Sequence, residues 1–153
     1  MSDEKLAAPG QYLTFMLNGQ TYGVPIGAVR EINRVSEITP VPQTPAYVSG
    51  VMNLRGKVIP VVNLRRKFSL EEQSYTKDTC IIVVESERQV GVIVDSVKAV
   101  MDFGSKQIEA RPPLGNDAEL AFVLGIGKVE EQVVILLDIV QAVRIGDPVR
   151  QAA

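Results

Sequence analysis

Most of the chain is written in short apolar runs of strand type, separated by turn residues. YLTFMLNGQTYGVPI, from Tyr12 to Ile26, reads as two strands joined at Asn18–Gly19, a pair suited to the left-handed positions of a tight hairpin. CIIVVESERQVGVIV, beginning at Cys80, reads the same way with a turn near Ser86–Glu87. VMNLRGKVIPVVNL is a third hairpin, turning in the basic stretch LRGK, and GIGKVEEQVVILLDI is a fourth, turning at Glu130–Glu131. Hairpins of this length and spacing predict an all-β barrel or sandwich and not an α/β fold. Helical spacing appears late, in LDIVQAVRIG, which predicts a short C-terminal helix capped by Asp138 and ended at Gly146. RRKF, after Leu64, predicts a single helical turn at the matching place in the first half.

The hairpins repeat. Laid over VGVIVDSVKAV, YGVPIGAVREI places Gly23 on Gly91 at a shift of 68, with Val24, Ile26, Val29 and Ile32 on Val92, Val94, Val97 and Val100. Laid over LGIGKVEEQVVILLDI, SGVMNLRGKVIPVVNL places Gly50 on Gly125 at a shift of 75, with Val58, Ile59, Val61 and Val62 on Val133, Val134, Leu136 and Leu137. Two glycine-anchored matches in one order favour a duplication, with seven extra residues in the middle loop of the second unit. Each unit then makes a small barrel of about five strands, near the lower limit of independent stability, and the two share an apolar seam. The expected organisation is a disordered lead-in over residues 1–10, one domain over 11–146 and a tail over 147–153. Within the domain the first barrel covers about 11–78 and the second about 79–146, with strands open to exchange between them.

Composition narrows the function. Of 153 residues 46% are hydrophobic, enough for one domain with a proper core. Sixteen basic residues against eighteen acidic leave a net charge of −2, and aromatics are few and scattered, so a nucleic-acid-binding barrel lacks its basic, stacking face. Histidine is absent, which removes the commonest acid–base group and the commonest metal ligand. No phosphate loop, dinucleotide fingerprint, serine elbow or EF-hand loop occurs, and the paired acids Glu71–Glu72 and Glu130–Glu131 fall in predicted turns. The reading is non-enzymatic, with no cofactor and no metal. The lone Cys80 sits in an apolar run and is expected to be a buried structural thiol, suited to a reducing cytoplasm. No stretch reaches the roughly 18 apolar residues of a membrane span, and the acidic start MSDEKLAAPG lacks the pattern of a signal peptide.

What remains is contact surface. SEITPVPQTPAYVSG is stiffened by Pro40, Pro42 and Pro45, and serves either as a strand crossover or as a pre-ordered loop that presents apolar residues. The matching loop FGSKQIEARPPLGNDAELAF is longer, more polar and expected to be the more mobile. LRGK raises a sharper question. A tight turn needs Gly56 for its backbone, but it does not need Arg55, nor Arg65, Arg66 and Lys67 just past the second arm.

The run TPAYVSGVMNLRGKVIPVVNLRRKF resembles the CheW family, the coupling proteins of bacterial chemotaxis. YGVPIGAVREINR, VGVIVDSVKAVMDF and GIGKVEEQVVILLDI are similar to that family too, so the resemblance runs from about Gln11 to about Ile145. It implies two intertwined five-stranded SH3-like β-barrels. It also implies a non-enzymatic cytoplasmic adaptor, monomeric in isolation, that joins the cytoplasmic hairpin tip of a chemoreceptor to a CheA-type histidine kinase within receptor arrays. Some relatives serve pilus motility or other sensory pathways. The family's receptor groove, between the barrels, falls on Val29, Glu31, Gly50 and Arg55, with Val90 from the second barrel; the kinase surfaces are the outer faces of both barrels. Asn63 stands where the family pattern has an acid. With the resemblance in hand, Arg55 is expected to reach back to Glu31, and strand alternation is expected to put Val29 and Glu31 on one face.

Overall fold

The computed structural model describes residues 7–85, 88–110 and 122–143. The predicted turn at Ser86–Glu87, most of the long second loop, the helix end at Gly146 and the tail over 147–153 lie outside them. The first half of the chain supplies β1 (Gly10–Leu17), β2 (Gln20–Pro25), β3 (Val29–Arg34), β4 (Val48–Leu54) and β5 (Lys57–Asn63), then a helical turn α1 (Leu64–Lys67). The second supplies β6 (Cys80–Glu85), β7 (Gln89–Val94), β8 (Ser96–Phe103), the two-residue β9 (Ile108–Glu109), β10 (Val123–Val129), β11 (Gln132–Leu137) and a second turn α2 (Ile139–Ala142).

These strands form two SH3-like barrels, ordered β8-β1-β2-β11-β10-β9 and β3-β6-β7-β5-β4. The duplication maps five strands of the first order onto the second, and β9 corresponds to the isolated bridge between Thr39 and Val51. It also maps the irregularities. Register shifts occur between Val48 and Gly50 and between Val123 and Gly125, 75 residues on. Bulges open at Arg30 on β3 and at Lys98 on β8, 68 residues on. The parallel junctions match as well: Val61 of β5 lies opposite Gly91, and Leu136 of β11 opposite Gly23.

The barrels do not divide the chain at residue 78. β1 and β2 complete a barrel with β8 to β11, whereas β6 and β7 complete one with β3 to β5. Each unit therefore gives two strands to the other's barrel. The apolar side chains follow this exchange. Tyr12, Phe103, Ile108, Val134 and Leu136 fill the first barrel, and Met52, Ile59, Val61, Ile81, Val83 and Ile93 the second. The largest cluster is the seam, where Leu13, Phe15, Leu17 and Val24 meet Val62, Leu64, Ile82, Val92 and Leu137. Phe15 stacks on Tyr22, its partner on β2, and Phe68 on Phe122 at a centroid distance of 4.4 Å.

The lead-in is shorter than the sequence suggested. Ala7 is buried in the first barrel's cluster, the Tyr12 hydroxyl donates to the Ala8 carbonyl at 2.6 Å, and Gly10 already opens β1. Cys80, expected in the core, is half-buried at the start of its strand, with Sγ 3.2 Å from the Asp78 carbonyl. Asp138 caps α2, its Oδ1 accepting from the Gln141 N–H at 3.3 Å. Asn63 does the same for α1, accepting from Arg66 N–H at 3.3 Å. No helix among the described residues is long and apolar enough to cross a membrane.

Candidate partner-binding surface

The turn between β4 and β5 is a two-residue loop, since Leu54 pairs with Lys57. Arg55 and Gly56 both take positive φ, +51° and +86°, the backbone sense of a hairpin turn that matches strand twist. Gly56 adopts this freely; Arg55 does so at a cost. Asn53 helps to hold the loop, its Oδ1 accepting from the Gly56 N–H at 2.7 Å. The strained backbone aims the guanidinium at β3. Arg55 Nη1 donates to Glu31 Oε1 at 3.1 Å and Nη2 donates to Oε2, a bidentate pair. The Arg55 side chain is 72% exposed and that of Glu31 24%. The hydrogen bond from Arg55 holds the Glu31 carboxyl below its usual range, against partial desolvation, and the carboxylate in turn raises the Arg55 pKa.

Strand alternation fails at this site. Val29 lies opposite Val84, but Glu31 lies opposite Val83, because the bulge inserts Arg30 between them. Directly opposed residues share a face, so Val29 sides with Val84 in the seam and Glu31 sides with Val83, which lines the second barrel. The two therefore flank β3 instead of sharing a face. Arg30 points to solvent and pairs with Glu85 at 2.6 Å.

Gly50 and Val90 serve the fold. A Cβ on Gly50 would stand 2.1 Å from the Thr39 carbonyl oxygen, and its φ is +145°. Thr39 and Val51 exchange two backbone hydrogen bonds of 2.9 Å at this point, so the glycine lets the proline loop close on β4. Val90 is 2% exposed and packs in the seam, so its side chain is not available to a partner directly.

The duplication sorts fold from function. By the two shifts, Gly50 corresponds to Gly125, Val29 to Val97 and Val90 to Tyr22, so these positions keep an apolar residue or a glycine in both halves. Glu31 and Arg55 correspond to Ala99 and Glu130, which cannot form the same pair. Two copies of one topology fold without needing this ion pair twice.

Arg65, Arg66 and Lys67 are engaged in holding structure. Lys67 lies over the Tyr47 ring with Nζ 4.0 Å from its centroid. Arg66 donates to the Ala46 carbonyl at 3.0 Å and pairs with Glu72 at 3.1 Å. Arg65 is buried, its side chain 7% exposed. Its Nε and Nη2 donate to the two Asp95 carboxylate oxygens at 2.9 and 2.7 Å, Nη2 also to Gln73 Oε1 at 3.0 Å, and Nη1 to the Glu71 carbonyl. Asp95 Oδ2 accepts a further bond from the Asn18 N–H at 2.8 Å. Nothing in the sequence announced this cluster: its partners stand 30 and 77 residues apart, and Asp95 reads as an ordinary turn residue.

The site is a charged surface turn on a pair of exchanged small barrels, with no cluster of metal-ligating side chains among the described residues. Residues 11–145 match the family model of the CheW-like domain. Chemotaxis protein CheW of Klebsiella aerogenes is 35% identical over 130 residues, covering 84% of this chain and 78% of that one. Protein FrzA of Myxococcus xanthus is 33% identical over 129 residues, covering 81% of this chain and 80% of its own. The crystal structure of the scaffolding protein TtCheW from Thermoanaerobacter tengcongensis superposes with a TM-score of 0.78 at 36% identity, covering 86% of this chain and 90% of that one. The chain belongs to the CheW-like family.

Proposed function

We propose that the chain is a non-enzymatic chemotaxis adaptor that couples the cytoplasmic tip of a chemoreceptor to a CheA-type histidine kinase, working in the cytoplasm in arrays at the inner face of the membrane. The observation that carries the reading is the Arg55–Glu31 pair, built on a strained turn and missing from the duplicated positions. Beside it on β3, Ile32 is 42% exposed, and Val29 is half-buried at the edge of the seam. A receptor helix laid along this edge would meet apolar surface next to a fixed charge pair, a common mode of helix recognition. Gly50 and Val90 contribute by shaping the support beneath, and the kinase takes the outer faces of the barrels. The similarity to FrzA supports a second reading, in which the same adaptor chemistry serves a related motility pathway.

The test is a binding assay with a receptor cytoplasmic hairpin and a CheA-type kinase. Wild type is expected to bind both, and Arg55→Ala to lose about ten-fold or more in receptor affinity while remaining folded, the scale of a charged hot-spot contact. Glu31→Ala and the double variant should lose no more than Arg55→Ala does, because the pair acts as one unit. Additive losses would separate the two residues, and failure of wild type to bind either partner would remove the adaptor reading.

A further inference from the structure

The chain passes from one barrel to the other only twice among the described residues: between β2 and β3, and between β7 and β8. The two crossings are related by the duplication, yet they are built differently. The first is a 3-10 turn, Ile26–Ala28, with no side-chain cap, and Gly27 has nothing within 4 Å of where its Cβ would be. The second is the single residue Asp95. Its carboxylate is gripped by the buried Arg65 of α1, which follows the second barrel's β5, and by the Asn18 N–H in the β1–β2 turn of the first barrel. Its own N–H donates to the Met16 carbonyl of β1 at 3.1 Å. One residue at the crossing thus ties both barrels together. The counterparts of Asp95 and Arg65 are Gly27 and Val140, two residue types that cannot form such an ion pair.

We propose that Arg65 and Asp95 are a positioning pair that fixes the angle between the two barrels at one crossing, so that surfaces on different barrels reach their partners in one geometry. The functional weight of the pair rests on the adaptor reading; the geometry does not. A buried bidentate pair with further acceptors on the arginine resists rotation in a way that an apolar seam does not, because contacts between methyl groups tolerate sliding and forked hydrogen bonds do not. The other crossing, whose Ile26 and Ala28 pack on the apolar seam alone, leads directly into Val29 and the bulge at Arg30.

The experiment places spin labels on Val58→Cys and Val133→Cys in a Cys80→Ser background, one on each barrel at duplicated, exposed positions. A control pair on Ile32→Cys and Val58→Cys lies within the second barrel. Double electron–electron resonance on Asp95→Ala should give an inter-barrel distance distribution broadened roughly two-fold, with the control distribution unchanged. Asp95→Asn, which keeps the acceptor for Asn18 but loses the charge, should broaden it less and serves if the alanine variant folds poorly. An inter-barrel distribution unchanged in both variants would show that the seam alone sets the angle. Equal broadening in the control pair would reduce the contact to general support of the fold; either result overturns the proposal. Binding adds a second readout: Asp95→Ala should keep each single-partner affinity within about two-fold and lose the three-component complex by about ten-fold. Wild type that binds no partner would remove the adaptor reading and leave the distance result standing.

Discussion

A methyl group at Gly50 would have to occupy the space of the Thr39 carbonyl, and it would do so on a backbone that L side chains avoid. Gly50→Ala is therefore expected to cost about 3 kcal/mol or more in urea unfolding, from strain and clash combined. Gly27→Ala, with open space around it and no positive φ, should change stability by less than about 1 kcal/mol. Asp95 has a different signature. Hydrogen bonds from Arg65, with help from the Asn18 N–H and the Arg65 charge, hold its carboxyl below the usual range despite partial burial. A carboxyl whose folded pKa is depressed binds its proton more readily when unfolded, so its contribution is complete above the ordinary carboxylate range and is lost as pH falls through the folded value. The stability gap between wild type and Asp95→Ala, about 2–4 kcal/mol near neutrality for a partly buried pair, should close as pH is lowered below about 4. A gap independent of pH would mean that the carboxylate's charge is not what matters. At this scale the sequence was half legible. The strained Arg55 stood out because a turn gives no reason for it, and its reach to Glu31 followed; Arg65 looked like one more surface cation because nothing local marks a side chain as buried.

Elements were legible where local chemistry decides them. Asn18–Gly19 and Arg55–Gly56 make their hairpins because both positions of each turn accept positive φ. Asn63 and Asp138 cap the same helical turn in the two halves. Substituting an acid by Asn63 leaves the cap intact, since either side chain offers the oxygen that accepts from the third N–H. Asn63→Ala should cost about 1 kcal/mol, more if the buried site stays unfilled, whereas Asn63→Asp should match wild type; thermal melts of the two variants decide this. Strand existence was clear from valine-rich runs, but strand facing was not. The bulge at Arg30 reverses which side Glu31 takes, and no residue type there signals it, because a bulge answers to how two strands fit and not to the sequence of one.

For the molecule as a whole, the glycine-anchored repeats predicted a pair of barrels, and the matching bulges and junctions confirm the pairing in detail. The exchange of strands is beyond local reading, since an intact and an exchanged barrel use the same hairpins in the same order. It has a direct thermodynamic consequence. Fragments 1–78 and 79–153 should each be largely unfolded alone, because neither holds all the strands of a barrel, and should regain β circular dichroism when mixed. The intact chain should unfold in one transition, without a stage in which one barrel survives. A fragment that folds by itself would contradict the exchanged topology.

The exchange also dictates a schedule on the ribosome. The second barrel cannot be completed until β7 has emerged, so a chain halted before Val94 has no finished sheet to fold into. The first barrel, whose β1–β2 hairpin leaves the tunnel earliest, waits for β11, more than a hundred residues downstream of Pro25. At elongation rates of about 5–20 residues per second that is a delay of roughly 5–20 s, during which Tyr12 lacks Val134 and Leu136 of its barrel core. The strands made first are among the last to be buried, and any nascent-chain chaperone that attends this protein should find its apolar target there.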